Sequence, residues 1–186
     1  MVFSYTDVPA FISWVVIITY QRWRMSEKDI KWYNDNAAAR LGMLRVPSIV
    51  FPIVWTLLHC LLIASHFSFF HLTIDYDHWT SIAVFVLTMV NLFLAQLWTL
   101  LFFKMRTIWA ALAVAVLLLG TAVANVVIMS QATTNINYDL WALPFGLYIP
   151  YVVWLAFAVV LNATWAMESS QTYSKVGANT RTRLRV

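Results

Sequence analysis

The sequence is short of the residues that keep a soluble domain in water. Only 11% of its 186 residues are Asp, Glu, Lys or Arg, which is too few to cover the surface of a soluble chain this long. One cysteine, Cys60, excludes an intrachain disulfide, and its apolar neighbours suggest a buried, inert thiol. Four glycines and five prolines leave no flexible or proline-rich linker, no glycine-rich phosphate loop and no sign of a second domain. His-Glu-x-x-His metal pairs and nucleophile elbows are also missing, and the four histidines and few carboxylates form no catalytic set. No catalytic residue and no metal site is therefore expected.

Apolar sequence fills the remaining length, with 62% hydrophobic residues and ten tryptophans. Crossing a hydrocarbon core of roughly 30 Å takes about 20 apolar residues as helix. Residues 46–70, 79–103, 107–130 and 140–167 meet this easily. Residues 8–23 are short, but Tyr20, Arg22 and Trp23 can anchor the end of that segment at the headgroups. The expected fold is all-α, an integral membrane bundle of five transmembrane helices over residues 1–170, followed by a basic tail over 171–186.

The loops give the same count. All 12 Lys and Arg residues fall on one side of a five-span arrangement. Arg22, Arg24, Lys28, Lys31, Arg40 and Arg45 lie in the first loop, Lys104 and Arg106 in the third, and Lys175, Arg181, Arg183 and Arg185 after the last span. The opposite side holds Asp7, Asp75, Asp77 and Asp139 with no basic residue. The positive-inside bias makes the basic side cytosolic or its organellar equivalent, so the N-terminus faces away from it and the C-terminus lies on it. The basic pI thus reflects topology rather than nucleic-acid binding. The first loop, with Ser26–Glu27–Lys28–Asp29 and Lys31–Trp32–Tyr33, reads as an ordered amphipathic cap or lid.

Polar and aromatic residues inside the spans suggest candidate sites. Trp23, Trp79, Trp141 and Trp165 lie near span ends, where indoles favour the interface. Trp14, Trp55, Trp98 and Trp154 are deeper and are better candidates for a pocket. Trp55, His59 and His66 share one stripe, since they lie four and then seven residues apart. His59 reads either as pocket lining or as a neutral histidine bonded to backbone, and the second reading fits His66 better. Haem ligation by His59 has neither a second axial ligand nor a motif to complete it. Asn91 and Trp98 share a face of the third span. Trp154, Phe157, Leu161 and Trp165 form a stripe on the fifth, with Asn162 beside them. Gln96, Asn125 and Asn162 read as interhelical hydrogen-bonding residues, and Ala113, Gly120 and Ala124 as a stripe for close helix packing.

These residues resemble the tryptophan-rich sensory protein/translocator protein family, also called peripheral benzodiazepine receptors. Pro150–Tyr151–Val152–Val153–Trp154–Leu155–Ala156–Phe157, followed by Leu161–Asn162, is similar to the family's fifth-span signature. Phe51–Pro52–Ile53–Val54–Trp55–Thr56–Leu57–Leu58 resembles the second-span signature, with His59 where tyrosine is usual. Trp98, Phe102–Phe103 and Arg106 resemble the end of the third span, and Lys31–Trp32–Tyr33 a first-loop element. The resemblance implies a five-helix bundle with a pocket opening toward the first loop and lined by Trp55, His59, Trp98, Trp154, Phe157 and Leu161. It implies a flat hydrophobic ligand, porphyrin before sterol, with no required cofactor beyond a bound porphyrin or haem. For a eukaryotic chain it also implies a mitochondrial membrane.

The chain departs from the family pattern in three places. Ala95–Gln96 stands where the family often has Asn–Trp, Thr99 and Leu100 stand where prolines are expected, and Asn162–Met167 lacks the Tyr and basic residue of a sterol segment. These departures keep a second reading open, a structural subunit of a larger membrane complex without ligand function. Porphyrin breakdown, reported for some relatives, is a third reading. Besides lipids and the ligand, the partners left open are a second copy of the chain or the subunits of such a complex.

Overall fold

The computed structural model describes residues 26–37, 45–73, 78–134 and 141–183, with side chains through residue 169. The expected first span at residues 8–23, Trp14, Trp23 and the acidic loops lie outside the described residues. Five α-helices and two π-helical turns make up the described chain, which contains no strand. A short loop helix α1 (Glu27–Trp32) runs into a π-turn (Tyr33–Ala37). The helices α2 (Val50–Thr73), α3 (His78–Thr99), α4 (Ile108–Thr134) and α5 (Leu143–Arg183) follow, with a second π-turn (Leu100–Lys104) closing α3.

Four segments are long and apolar enough to cross a membrane, namely Val50–Thr73, Trp79–Lys104, Ile108–Thr134 and Leu143–Ser169. They match the four long spans expected from the sequence to within a few residues. At 1.5 Å per residue, the 24 residues of α2 extend about 36 Å, enough to cross the bilayer core. Each helix is apolar around its whole circumference. Ile53, Leu57, Phe93, Val153 and Val160 point outward while Leu62, Val84, Leu118 and Leu155 are buried. Such a surface has no place in water and suits lipid. At the ends, exposed Trp79 and Trp141 fit the interfacial role expected of them.

The helices pack out of chain order. α5 lies against α2 and α4, and α4 against α3, whereas the consecutive helices α2 and α3 approach little. A buried polar network ties the bundle together. The Asn91 side-chain amide donates to the Leu118 carbonyl (2.9 Å) and to Thr121 Oγ1 (2.8 Å), while Tyr151 Oη donates to Asn91 Oδ1 (2.6 Å). Asn125 Nδ2 donates to Tyr148 Oη (3.2 Å), and Ser65 Oγ donates to the Pro144 carbonyl (2.6 Å). His66 lies 2.7 Å from both the Leu62 carbonyl, through Nδ1, and Thr88 Oγ1, through Nε2. The Leu62 carbonyl can only accept, so Nδ1 is a donor, while the Thr88 hydroxyl lies between Nε2 and the Val84 carbonyl (2.8 Å). His66 is thus a core histidine bonded to backbone, as expected.

Two expectations are corrected. Cys60 is exposed on the outer face of α2, because apolar sequence neighbours on an all-apolar helix do not mark an inner face. The small residues buried in α4 are Ala111, Ala115 and Ala122, while Ala113 and Gly120 face outward. A Cβ added at Gly120 would meet nothing within 4 Å, so that stripe does not serve internal packing. The α5 backbone continues as helix to Arg183, past the candidate span that ends at Ser169.

Candidate functional site

One end of the bundle is built almost wholly of aromatic rings. α1 starts with a capping box: Asp29 N–H donates to Ser26 Oγ (3.3 Å), and Ser26 N–H donates to Asp29 Oδ2 (3.0 Å). This fixes the helix entry and sends Trp32 and Tyr33 against the ends of α2, α3 and α5. Tyr33 stands edge-on to Phe51 at 5.3 Å between ring centroids, and its hydroxyl donates to the Val46 carbonyl (2.9 Å). Trp32 packs against Phe102 at 6.2 Å and Trp165 at 5.1 Å. The Arg106 guanidinium lies 5.0 Å from the Trp32 ring centre, a cation–π distance. Arg106 itself has φ 57°, a left-handed conformation uncommon for a side-chain-bearing residue. The expected cap is present, and Lys28, Lys31, Arg45, Lys104 and Arg106 belong to the elements that build this end.

Burial pushes the Tyr33 phenol up to about 12, against a smaller opposing pull from the Arg45 charge.

Beneath the cap lies a cleft lined by Phe51 of α2, Trp98 and Phe102 at the end of α3, and Trp154, Phe157, Ala158 and Leu161 of α5. Helical spacing brings these residues together. Trp98 and Phe102 are four apart and stack at 5.2 Å and 23°, while Trp154 and Phe157 are three apart at 5.5 Å. The rings close on one another and leave a cavity of about 10 Å³, room for about one water and far below the 300–1,000 Å³ typical of small-molecule sites. A flat ring ligand requires the walls to part. Nothing lining the cleft is charged, so binding there rests on ring contact and shape.

Of the six residues expected to line a pocket, Trp98, Trp154, Phe157 and Leu161 meet at this cleft. Trp55 and His59 are not among its lining residues. They stack on each other one turn deeper, at 5.5 Å and 27°, and Trp55 meets Tyr151 edge-on at 6.1 Å. His59 is 3% exposed. Among the described residues no group of three or more His, Cys, Asp or Glu side chains could hold a metal.

Sequence reasoning missed Phe51, Phe102 and Ala158. The available signal was spacing, because Phe51 precedes Trp55 by four residues and Phe102 follows Trp98 by four. Trp165, expected at the interface, is 4% exposed and packs on Phe102 at 5.0 Å. α5 continues well beyond Trp165, so distance from a predicted span end did not measure burial.

The same end holds buried polar atoms without partners. Among the described residues, Trp98 Nε1, Trp165 Nε1 and both side-chain amide atoms of Asn162 make no hydrogen bond. Asn162 is fully buried. Leaving such a group unsatisfied costs about 1–3 kcal/mol.

Four apolar helices, a basic cap and an uncharged aromatic cleft define a multi-pass integral membrane protein. The sequence profile of the TspO/MBR family matches residues 8–167, and the chain belongs to that family. No match was found among curated proteins or among solved structures.

Proposed function

We propose that the protein binds a flat hydrophobic ligand, a porphyrin before a sterol, in the Trp98–Trp154 cleft beneath the first-loop cap, and that it acts without catalysis. The observation that carries this reading is the cleft itself, where three helices contribute aromatic rings at stacking distances and no charge. With protein in lipid nanodiscs, protoporphyrin IX is expected to quench indole fluorescence. Trp98→Ala/Trp154→Ala should weaken binding several-fold, about 1 kcal/mol or more for lost ring contacts. Unchanged affinity in the folded double variant would put the ligand elsewhere.

The narrowness of the cleft favours a second reading, in which the fold serves as a subunit of a larger membrane assembly. Extraction in mild detergent separates the two: pigment retained by a small particle supports ligand binding, and a stable large particle without pigment supports the subunit role. Under either reading the N-terminus faces away from the basic side and the C-terminus lies on it, which tags at residues 2 and 186 test.

A further inference from the structure

The positive charge that the chain carries in excess lies past its last span. The formal net charge is +4. Every Asp and Glu lies at or before Glu168, and Lys175, Arg181, Arg183 and Arg185 follow with no acidic residue among them. Residues 1–169 are therefore formally neutral, and residues 170–186 hold the whole excess. This stretch also lies beyond the TspO/MBR match, which ends at residue 167.

The backbone carries these charges away from the bilayer. α5 is one helix from Leu143 to Arg183, and its candidate span ends at Ser169. At 1.5 Å per residue, Lys175 lies about 9 Å along the helix beyond that end, Arg181 about 18 Å and Arg183 about 21 Å. A tilt of about 20°, usual for membrane helices, shortens these heights little. The field of anionic headgroups decays over a Debye length of about 8 Å at physiological salt. Lipid charge thus reaches Lys175 and fades before the two arginines. Propensity does not hold the extension in helical form either, because Ser, Thr, Val, Gly and Asn fill most of positions 170–182. So short a helix of this composition is marginal in water and draws its stability from packing against something else.

We propose that residues 170–183 form a docking helix for an acidic polypeptide segment of a partner protein, held above the reach of the lipid headgroups. Charge complementarity selects the partner, and the helix presents the basic residues at fixed heights above the bilayer. The proposal is independent of what the cleft binds.

Full-length protein in phosphatidylcholine nanodiscs, titrated at physiological salt with a fluorescent polyglutamate peptide of about 20 residues, tests this. Lys175→Gln/Arg181→Gln/Arg183→Gln removes charge while keeping residues that favour helix, and Val176→Pro breaks the helix while keeping the charge. Wild type should bind the peptide, measured by fluorescence anisotropy, and each variant should weaken binding tenfold or more. The unfolding midpoint of the bundle should stay at the wild-type value in both, since neither change touches the spans. Placing about 30% phosphatidylserine in the nanodiscs should leave the affinity of wild type for the peptide within twofold. Full binding by Val176→Pro would reduce the extension to a flexible charged tail and overturn the docking helix. Full binding by the triple glutamine variant, or none by wild type, would overturn the acidic partner. Suppression by phosphatidylserine would place the extension on the lipid surface, and tighter binding of a single-stranded RNA than of the peptide would make nucleic acid the partner; either result overturns the proposal.

Discussion

The two halves of the bundle treat buried polarity in opposite ways. In the half away from the cap, Asn91, Thr88, His66, Tyr148 and Tyr151 are knitted across α2, α3, α4 and α5 by bonds of 2.6–3.2 Å. One acceptor there lacks a partner, Oδ1 of Asn125, whose amide nitrogen is bonded. In the capped half the side-chain polar atoms of Asn162, Trp98 and Trp165 are buried and find no partner among the described residues. Satisfied polar groups in lipid fix which helix faces which, because apolar surface cannot distinguish a neighbouring helix from a lipid tail. Unsatisfied ones cost stability and are tolerated where something other than folding requires them. The first half specifies the bundle, and the second carries the site.

Removing a polar side chain should therefore have opposite signs in the two halves. The largest effect is expected for Asn91→Leu, which deletes three hydrogen bonds joining α3 to α4 and α5. At roughly 0.6 kcal/mol per bond in a membrane protein, the loss is about 2 kcal/mol. Thermal unfolding in detergent should show a lowered midpoint. An unchanged midpoint would mean that the network does not hold the bundle. Asn162→Leu should do the reverse. It replaces an amide with no partners by an apolar side chain of similar volume, which is expected to stabilise the ligand-free protein by about 1 kcal/mol. A marked loss of stability would show that Asn162 bonds something in the empty protein, and the contrast between the halves would fail.

How much of this was legible beforehand divides along the same line. The four described spans could be read because run length and charge placement carry the signal, and neither depends on knowing which face is inside. The cap could be read from Ser26–Asp29 and the apolar Trp32–Tyr33 that follow. The inner faces could not. α2 and α4 are apolar all round, so periodicity was silent on the exposure of Cys60 and Gly120 and on Phe51 belonging to the cleft. Trp55 and His59 share the stripe that leads toward the cleft, yet one helical turn separated lining residues from residues packed against each other. The first span, residues 8–23, falls within the family match but outside the described residues.

The cap permits smaller tests. Arg106 holds a left-handed backbone conformation that costs a side-chain-bearing residue roughly 1–2 kcal/mol, and its guanidinium lies over Trp32. Arg106→Ala keeps the backbone cost and loses the cation–π contact, worth about 0.5–1 kcal/mol. Arg106→Gly loses the same contact but removes the backbone cost. Unfolding midpoints should rank Gly at or above wild type and Ala below it. If Ala matched wild type, the contact would contribute nothing to holding the cap.

The smallest effect at neutral pH, and the most specific to the cap, is the titration of Tyr33. Its phenol is buried under Phe51 and Phe103, and burial disfavours the phenolate, raising the midpoint to about 12 from the usual 10. The neutral phenol also donates to the Val46 carbonyl, a bond that the phenolate cannot make. A midpoint raised in the folded state means that docking of this residue is fully favourable below pH 10. It is lost as pH rises from about 10 through about 12, so the cap is insensitive to pH across the neutral range. Phenolate absorbance near 295 nm, taken as the difference between wild type and Tyr33→Phe, should titrate near 12 in the folded protein. In denaturant the same difference should titrate near 10. The stability advantage of wild type over Tyr33→Phe should be constant from pH 7 to 9 and shrink above 10. A folded-state difference midpoint at 10 would mean that Tyr33 meets water, and that the cap does not close the aromatic end of the bundle.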